Sequence, residues 1–185
     1  DRLYRNDGNA RFVDVSAATG IDRVPGNGLG VVSSDFDGNG LPDVFVANDT
    51  MMNQLWLNFG PDGFRDEALL RGCALDEHGV AKAGMGVDAR DLDDDGDSDL
   101  IVVNLEGQTD SYFRNGGGFF DDRTGAIGLG ASSRSFTRFG IGLADFDNDG
   151  RLDLYEANGA VVFNAAATTE GPYAQPNVLV PGTGD

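Results

Sequence analysis

The stretches DFDGNGLPD, DLDDDGDSD and DFDNDGRLD begin at Asp35, Asp91 and Asp145, at intervals of 56 and 54 residues. Their flanks recur with them. GLGVVSSD, GMGVDARD and FGIGLAD precede the three loops. VFVAND, LIVVNL and LYEANG follow, each reaching an asparagine at Asn48, Asn104 or Asn158. A second theme repeats in LYRNDGNARFVDV, LWLNFGPDGFRDE and YFRNGGGFFDD. There an aromatic-rich run reaches Asn6, Asn58 or Asn115, a glycine turn follows, and Phe12, Phe64 or Phe120 precedes Asp14, Asp66 or Asp122 by two residues. Self-similarity at a period of ~55 residues restricts the chain to stacked supersecondary units or propeller blades.

Each unit reads as four short strands. LYRN and RFVDVS, joined by an Asn/Asp/Gly turn, form one hairpin. GVVSSDF and PDVFVAN flank the acidic loop as a second hairpin, with Pro42 at a strand start, where a missing N–H costs little. Helical periodicity is confined to a short turn around DEALLRG. The expected fold is therefore all-β, built of β-propeller blades of four antiparallel strands each. The repeats run over 3–54, 55–110 and 111–176, with the start of a fourth at 177–185. Three repeats are too few to close a ring, so a fragment with open strand edges is expected, its remaining blades lying elsewhere in the same protein.

Four aspartates within the nine residues of DFDNDGRLD, in a chain of formal charge −18, require a physical reason. Two unit charges ~4 Å apart interact by roughly 4 kcal/mol at an effective dielectric near 20, so convergent carboxylates without a counter-charge would open the loop. A divalent cation resolves the conflict. Calcium accepts six to eight oxygens from carboxylates, carbonyls and water, whereas magnesium keeps its waters and takes few protein ligands; the donor count favours calcium. The expected side-chain ligands are Asp35, Asp37, Asn39 and Asp43 in the first loop, and Asp91, Asp93, Asp95 and Asp99 in the second. In the third they are Asp145, Asp147, Asp149 and Asp153. The seventh residue, Leu41, Asp97 or Arg151, would give its main-chain carbonyl, which explains its free choice of side chain. Gly40, Gly96 and Gly150 permit the sharp turn. Apolar residues at the second and tenth positions (Phe36 and Val44, Leu92 and Leu100, Phe146 and Leu154) anchor each loop in the core. Asn39 replaces a carboxylate, which ranks the first site weakest by ligand charge. A solvated acidic turn would explain one such loop, but not three in register with matching flanks. The third loop continues to Glu156 and so satisfies the EF-hand pattern. Val46 and Val102 occupy that position in the other two, and Glu156 is read as a strand residue.

The DxDxDGxxD loops in repeats of this length resemble FG-GAP/VCBS repeats, with their integrin α-type calcium loops. VANDTMMNQLWLN, AKAGMGVDARDLDDDGDSDLIVVN and FGIGLADFDNDGRLDLYEANG are similar to the propeller of the ASPIC/UnbV (cartilage acidic protein-like) family, from about Leu3 to Leu179. That resemblance implies a seven-bladed, exported propeller with calcium in its blade loops and no catalytic residues within the blades. Two departures stand out: Ala160 where the family tends to have histidine, and Gly182 in NVLVPGTGD where an asparagine is expected.

Composition excludes several functions. Thirteen basic against thirty-one acidic residues argue against nucleic acid or an anionic membrane surface as partner. No apolar run approaches the ~18 residues of a membrane-spanning helix. The chain starts in mid-pattern at Asp1, so targeting information is expected on residues outside it. Cys73 has no internal partner and reads as a small buried residue; His78 reads as a loop histidine. Asp14, Asp66 and Asp122 recur once per repeat, which suits a turn or blade-linking role better than an active site. No catalytic or organic-cofactor residues are assigned. The function expected is a calcium-stabilised, non-catalytic scaffold of an extracellular or periplasmic protein that binds a protein or cell-surface ligand, through loops 17–29, 68–84, 123–139 and 159–176. The alternative is a carbohydrate-binding propeller. Its loop aromatics would be Phe136, Phe163 and Tyr173, with Trp56 and Tyr112 assigned to the core.

Overall fold

The computed structural model describes residues 1–161, 171 and 173–183, apart from the side chain of Ala131. Part of the 159–176 loop, with Phe163, lies outside the described residues. The architecture is all-β. Strands β1 (Tyr4–Asn6) and β2 (Phe12–Asp14) form a lone hairpin. The first four-stranded sheet is a meander of β3 (Gly28–Ser34), β4 (Asp43–Asn48), β5 (Gln54–Asn58) and β6 (Phe64–Asp66). The second repeats it with β7 (Gly84–Arg90), β8 (Asp99–Asn104), β9 (Ser111–Gly116) and β10 (Phe119–Asp122). A third sheet comprises β11 (Arg138–Ala144), β12 (Asp153–Asn158) and β13 (Val178–Val180). All pairings are antiparallel, consistent with propeller blades. The sheets are half a unit out of phase with the sequence repeat: the first two take their acidic hairpin from one repeat and their aromatic hairpin from the next, and the third adds the single strand β13 to its acidic hairpin.

The second sheet buries both faces, one against the first sheet and one against the third, which is why β8 is apolar without alternation up to its terminal polar residues. Phe45, Leu55 and Leu57 of the first sheet meet Leu100, Val102 and Phe113 of the second. Residues of opposite parity, Ile101 and Tyr112, meet Leu143 and Leu154 of the third. Trp56 and Val46 pack toward the β1–β2 side with Ile21 and Leu3. Trp56 and Tyr112 are thus core residues, as their strand positions predict, and Cys73 is fully buried with its thiol pKa pushed up by desolvation.

The first strands of the three sheets, β3, β7 and β11, lie side by side. Each carries a register shift at its start, between Gly28 and Gly30, Gly84 and Gly86, or Arg138 and Gly140. Backbones nearly touch there: a Cβ on Gly86 would stand 2.3 Å from the Phe139 carbonyl oxygen. Gly86→Ala is therefore expected to destabilise the fold by about 2–3 kcal/mol in urea denaturation. Gly142→Ala on β11, where an added Cβ meets nothing within 4 Å, should be close to neutral.

The recurring asparagines and aspartates staple the turns. Asn48, Asn104 and Asn158 each donate Nδ2–H to a carbonyl of the following connection, Met52 at 2.7 Å, Thr109 at 2.9 Å and Pro176 at 2.8 Å. Asp14, Asp66 and Asp122 accept the backbone N–H two residues on, from Ser16, Ala68 and Thr124. This confirms the turn role, and Asp122 also accepts the N–H of Glu77 in the link between the first and second sheets. The DEALLRG turn is a single helical turn, α2 (Ala68–Arg71). Comparable turns at α1 (Ser16–Thr19) and α3 (Leu129–Ser132) were not expected from periodicity, being too short to show any.

At the boundary of the second and third sheets three positions depart together from the repeat. Arg138 holds the register place of Gly28 and Gly84, and Glu156 that of Val46 and Val102. Asp110 stands where Asn53 and Asn177 stand, accepting the N–H of the recurring asparagine through Oδ1 in the same way. All three are buried, and Arg138 Nε lies 2.6 Å from Asp110 Oδ1. Glu156 lies within β12 with its carboxyl against that of Asp110, so the EF-hand reading fails and the strand reading holds.

Candidate metal centres

The three acidic loops connect β3 to β4, β7 to β8 and β11 to β12, and one hydrogen-bond scheme builds all of them. The first-position aspartate folds the turn over itself. Asp35, Asp91 and Asp145 each accept the fifth-residue N–H through Oδ1 (3.1, 3.1 and 3.0 Å) and the sixth-residue N–H through Oδ2 (2.8, 2.9 and 2.9 Å). Left-handed backbone at the sixth position, with φ of 84°, 95° and 89°, is taken by glycine. The fourth position is left-handed as well, and there Gly38, Asp94 and Asn148 are the residue types that tolerate it. That second requirement was legible in the loops but not drawn from them.

The ninth-position aspartate, first residue of the second strand, locks the loop to the sheet. Asp43, Asp99 and Asp153 are almost wholly buried. Their Oδ2 atoms accept the second-position N–H of Phe36 (2.9 Å), Leu92 (3.1 Å) and Phe146 (2.8 Å). Their Oδ1 atoms accept the N–H of Asn58 (2.7 Å) and Asn115 (2.7 Å) on the third strand, and of Gly182 (2.8 Å) just beyond it. Gly182 therefore keeps the bond that the missing asparagine would have made, because the backbone makes it. A side chain there would not fit: an added Cβ would stand 2.5 Å from the Leu152 carbonyl.

These bonds aim three carboxylates at one point in each loop. One oxygen each from Asp35, Asp37 and Asp43 lies within 4.8 Å of the others, and the same holds for Asp91, Asp93 and Asp99 and for Asp145, Asp147 and Asp153. A carboxylate has about four lone-pair directions, so two backbone N–H bonds leave capacity for a cation. Among the described residues these are the places where three or more His, Cys, Asp or Glu side chains converge, and each could chelate a divalent ion. Burial pushes the Asp43 and Asp99 carboxyls above the usual range, with nearby aspartates adding to the rise; Asp153 is held lower by the N–H groups of Gly182 and Phe146.

The fifth position stands apart from the triads. Asp95 Oδ2 accepts from Arg114 Nη2 at 2.8 Å, and Arg114 Nε also contacts Asp93. Asp149 is paired with Arg151, whose Nε donates to the Gly182 carbonyl at 2.9 Å. Asn39 donates to the Asn58 carbonyl at 3.2 Å. Leu41, Asp97 and Arg151 follow on the same turns, and Asp97 spends Oδ2 on the N–H of Gly117 at 2.7 Å. Arg114 was missed by sequence reasoning: it lies on β9 in the column of Leu57 and Pro181, and although Arg5 stands at the same place before Asn6, nothing in the sequence brings either arginine to an acidic loop.

The apolar anchors hold two loops in place. Phe36 is buried edge-on against Phe120 of the second sheet, ring centroids 6.0 Å apart, and Leu92 packs on the third sheet. Phe146 is half exposed against Tyr155, at the sheet with no described successor. His78 is exposed.

Comparison with known proteins agrees with this geometry. The FG-GAP-like repeat pattern matches residues 1–46 and 91–156. Cartilage acidic protein 1 of Xenopus tropicalis is 29% identical over 162 residues, covering 85% of this chain and 25% of that protein. The Mus musculus protein of the same name is 27% identical over 165 residues, and the Homo sapiens one 26% over 165, each over 85% of this chain. The chain spans about a quarter of the length of the curated relatives it matches. With its acidic hairpin loops and meander sheets recurring in step, the chain belongs to the FG-GAP-like repeat family.

Proposed function

We propose that the chain is a calcium-stabilised, non-catalytic segment of a β-propeller in an exported protein, serving as a scaffold for binding a protein or cell-surface partner. The observation that carries this reading is the threefold recurrence of a convergent carboxylate triad on one hairpin geometry. Oxygen-only donors, carboxylate-rich and backed by neighbouring carbonyls, suit calcium better than magnesium or a softer metal. The first-, third-, fifth- and ninth-position side chains would hold the ion with the seventh carbonyl; the fifth must first leave its present partner. Bound calcium would supply the counter-charge that the buried Asp43 and Asp99 lack. Relatives named for cartilage and for acidity accord with a setting where calcium is plentiful.

The ring is supported by both outer faces. Leu29 and Val31 on β3 are mostly exposed at one end, and Phe139 and Leu179 at the other, as faces that further blades of the same chain would cover. The interaction role is supported by a cleft at the sheet end opposite the acidic loops. Val24, Pro25, Met51, Met52, Leu69 and Leu70 line it, drawn from two of the loops expected to bind and from the β4–β5 turn. The lectin alternative finds less: of its described loop aromatics Phe136 is half-buried, leaving Tyr173 exposed.

Calcium titration of the intact protein tests the metal assignment. Asp37→Asn, Asp93→Asn and Asp147→Asn should each lower the number of bound ions by one. Unchanged stoichiometry in all three variants at millimolar calcium overturns it.

A further inference from the structure

The three loops share one backbone scheme but differ in their resident cations. In the second, the Arg114 guanidinium reaches across from β9 and bonds both Asp93, a member of the convergent triad, and Asp95 beside it. In the third, Arg151 pairs with Asp149 alone and touches none of the triad oxygens through an ion pair. In the first, no arginine or lysine among the described residues pairs with Asp35, Asp37 or Asp43. The Arg114 column holds a buried leucine, Leu57, in the first sheet and Pro181 in the third. The cation is thus peculiar to one site.

We infer that Arg114 is a built-in counter-cation of the second loop, which competes with the divalent ion for Asp93 and Asp95 and makes this the last of the three sites to fill. The inference rests on the reading that the loops bind calcium. A guanidinium stays protonated at any physiological pH, and its fork can hold two carboxylates at once. An incoming ion must displace it from Asp93 and release Asp95. When the ion leaves, the arginine returns and neutralises part of the charge, so the second loop stays closed where the others would repel. Counting carboxylates ranks the first loop weakest; counting resident cations ranks the second. The fold gains a graded response, with two loops filled while the arginine-guarded one reports the higher calcium concentrations.

The test isolates the second site in the intact protein by combining Asp37→Asn with Asp147→Asn, then compares Arg114 with Arg114→Leu and Arg114→Gln by calcium titration, with circular dichroism confirming the fold. Both replacements should tighten calcium binding at the second loop about tenfold, equivalent to about 1.4 kcal/mol. They should also make the calcium-free protein melt lower. Arg114→Gln removes the charge but keeps a polar side chain with N–H donors, so it decides the matter if the leucine variant folds poorly. Unchanged or weaker binding in the folded variants overturns the role of Arg114 while leaving calcium binding intact. If no loop binds calcium in any protein, and adding Asp93→Asn changes nothing, the underlying reading fails with it.

Discussion

Arg138→Ala should cost about 3–5 kcal/mol of folding stability, because removing one partner from a buried charge cluster leaves the others uncompensated. For a chain of this size that lowers the melting temperature by roughly 10 °C or more. The guanidinium donates Nη1–H to the Phe136 carbonyl at 2.8 Å and Nη2–H to the Gln108 carbonyl at 3.1 Å, and lies against Asp110. Its loss strands two carbonyls and two carboxyl groups between the second and third sheets. Asp110 sets a pH signature on the same cluster. Burial pushes its pKa up to about 8, against the pull of Arg138 and with Glu156 adding to the rise. The Lys82 ammonium also faces it, 3.4 Å from the Asp110 carbonyl. A carboxyl raised in the folded state contributes fully below the unfolded value of about 4, and that contribution drains away as pH climbs toward 8. Asp110→Asn keeps the side-chain oxygen that receives the Asn104 N–H but abolishes the titration. Its stability should therefore vary less between pH 5 and 8 than that of the wild type, in parallel urea denaturation series. An equally steep profile would place the titrating proton elsewhere.

Calcium removal should have an effect at least as large. A ligand present at a thousand times its dissociation constant, binding only the folded form, stabilises by roughly 4 kcal/mol per site. Three sites would then rival the ~5–15 kcal/mol that holds an ordinary domain together. EDTA is expected to lower the melting temperature by about 10 °C or more, with calcium restoring it and sodium at equal ionic strength failing to. A melting curve unmoved by EDTA, once elemental analysis shows the protein free of metal, rules out a stabilising ion. The repulsion released is local: Asp43 and Asp99 are buried beside other aspartates of their own loops, so charge opened there has nowhere to disperse.

Much of this was legible because the repeat writes the same physics three times. The acidic hairpins, the buried Trp56 and Tyr112, the turn role of Asp14, Asp66 and Asp122, and the strand assignment of Glu156 follow from alternation, spacing and comparison between units. The phase of the sheets did not follow. Pairing β4 with β5 joins residues across the repeat boundary, and period alone does not say which hairpin edge meets which. Arg114, Arg138 and Asp110 escaped notice for a different reason. Arg138 and Asp110 depart from the repeat at single positions and Arg114 shares its place with Arg5, but each has its partner on another element, so only tertiary proximity gives the charge its meaning.

The half-unit offset governs how such a chain can be divided. Severing it at the sequence-repeat boundary between residues 54 and 55 would split one meander down the middle and leave each product with an unfinished pair of strands. A break anywhere within 67–83 or 123–137 hands every meander over whole. The structural unit along this chain is therefore the sheet and not the sequence motif.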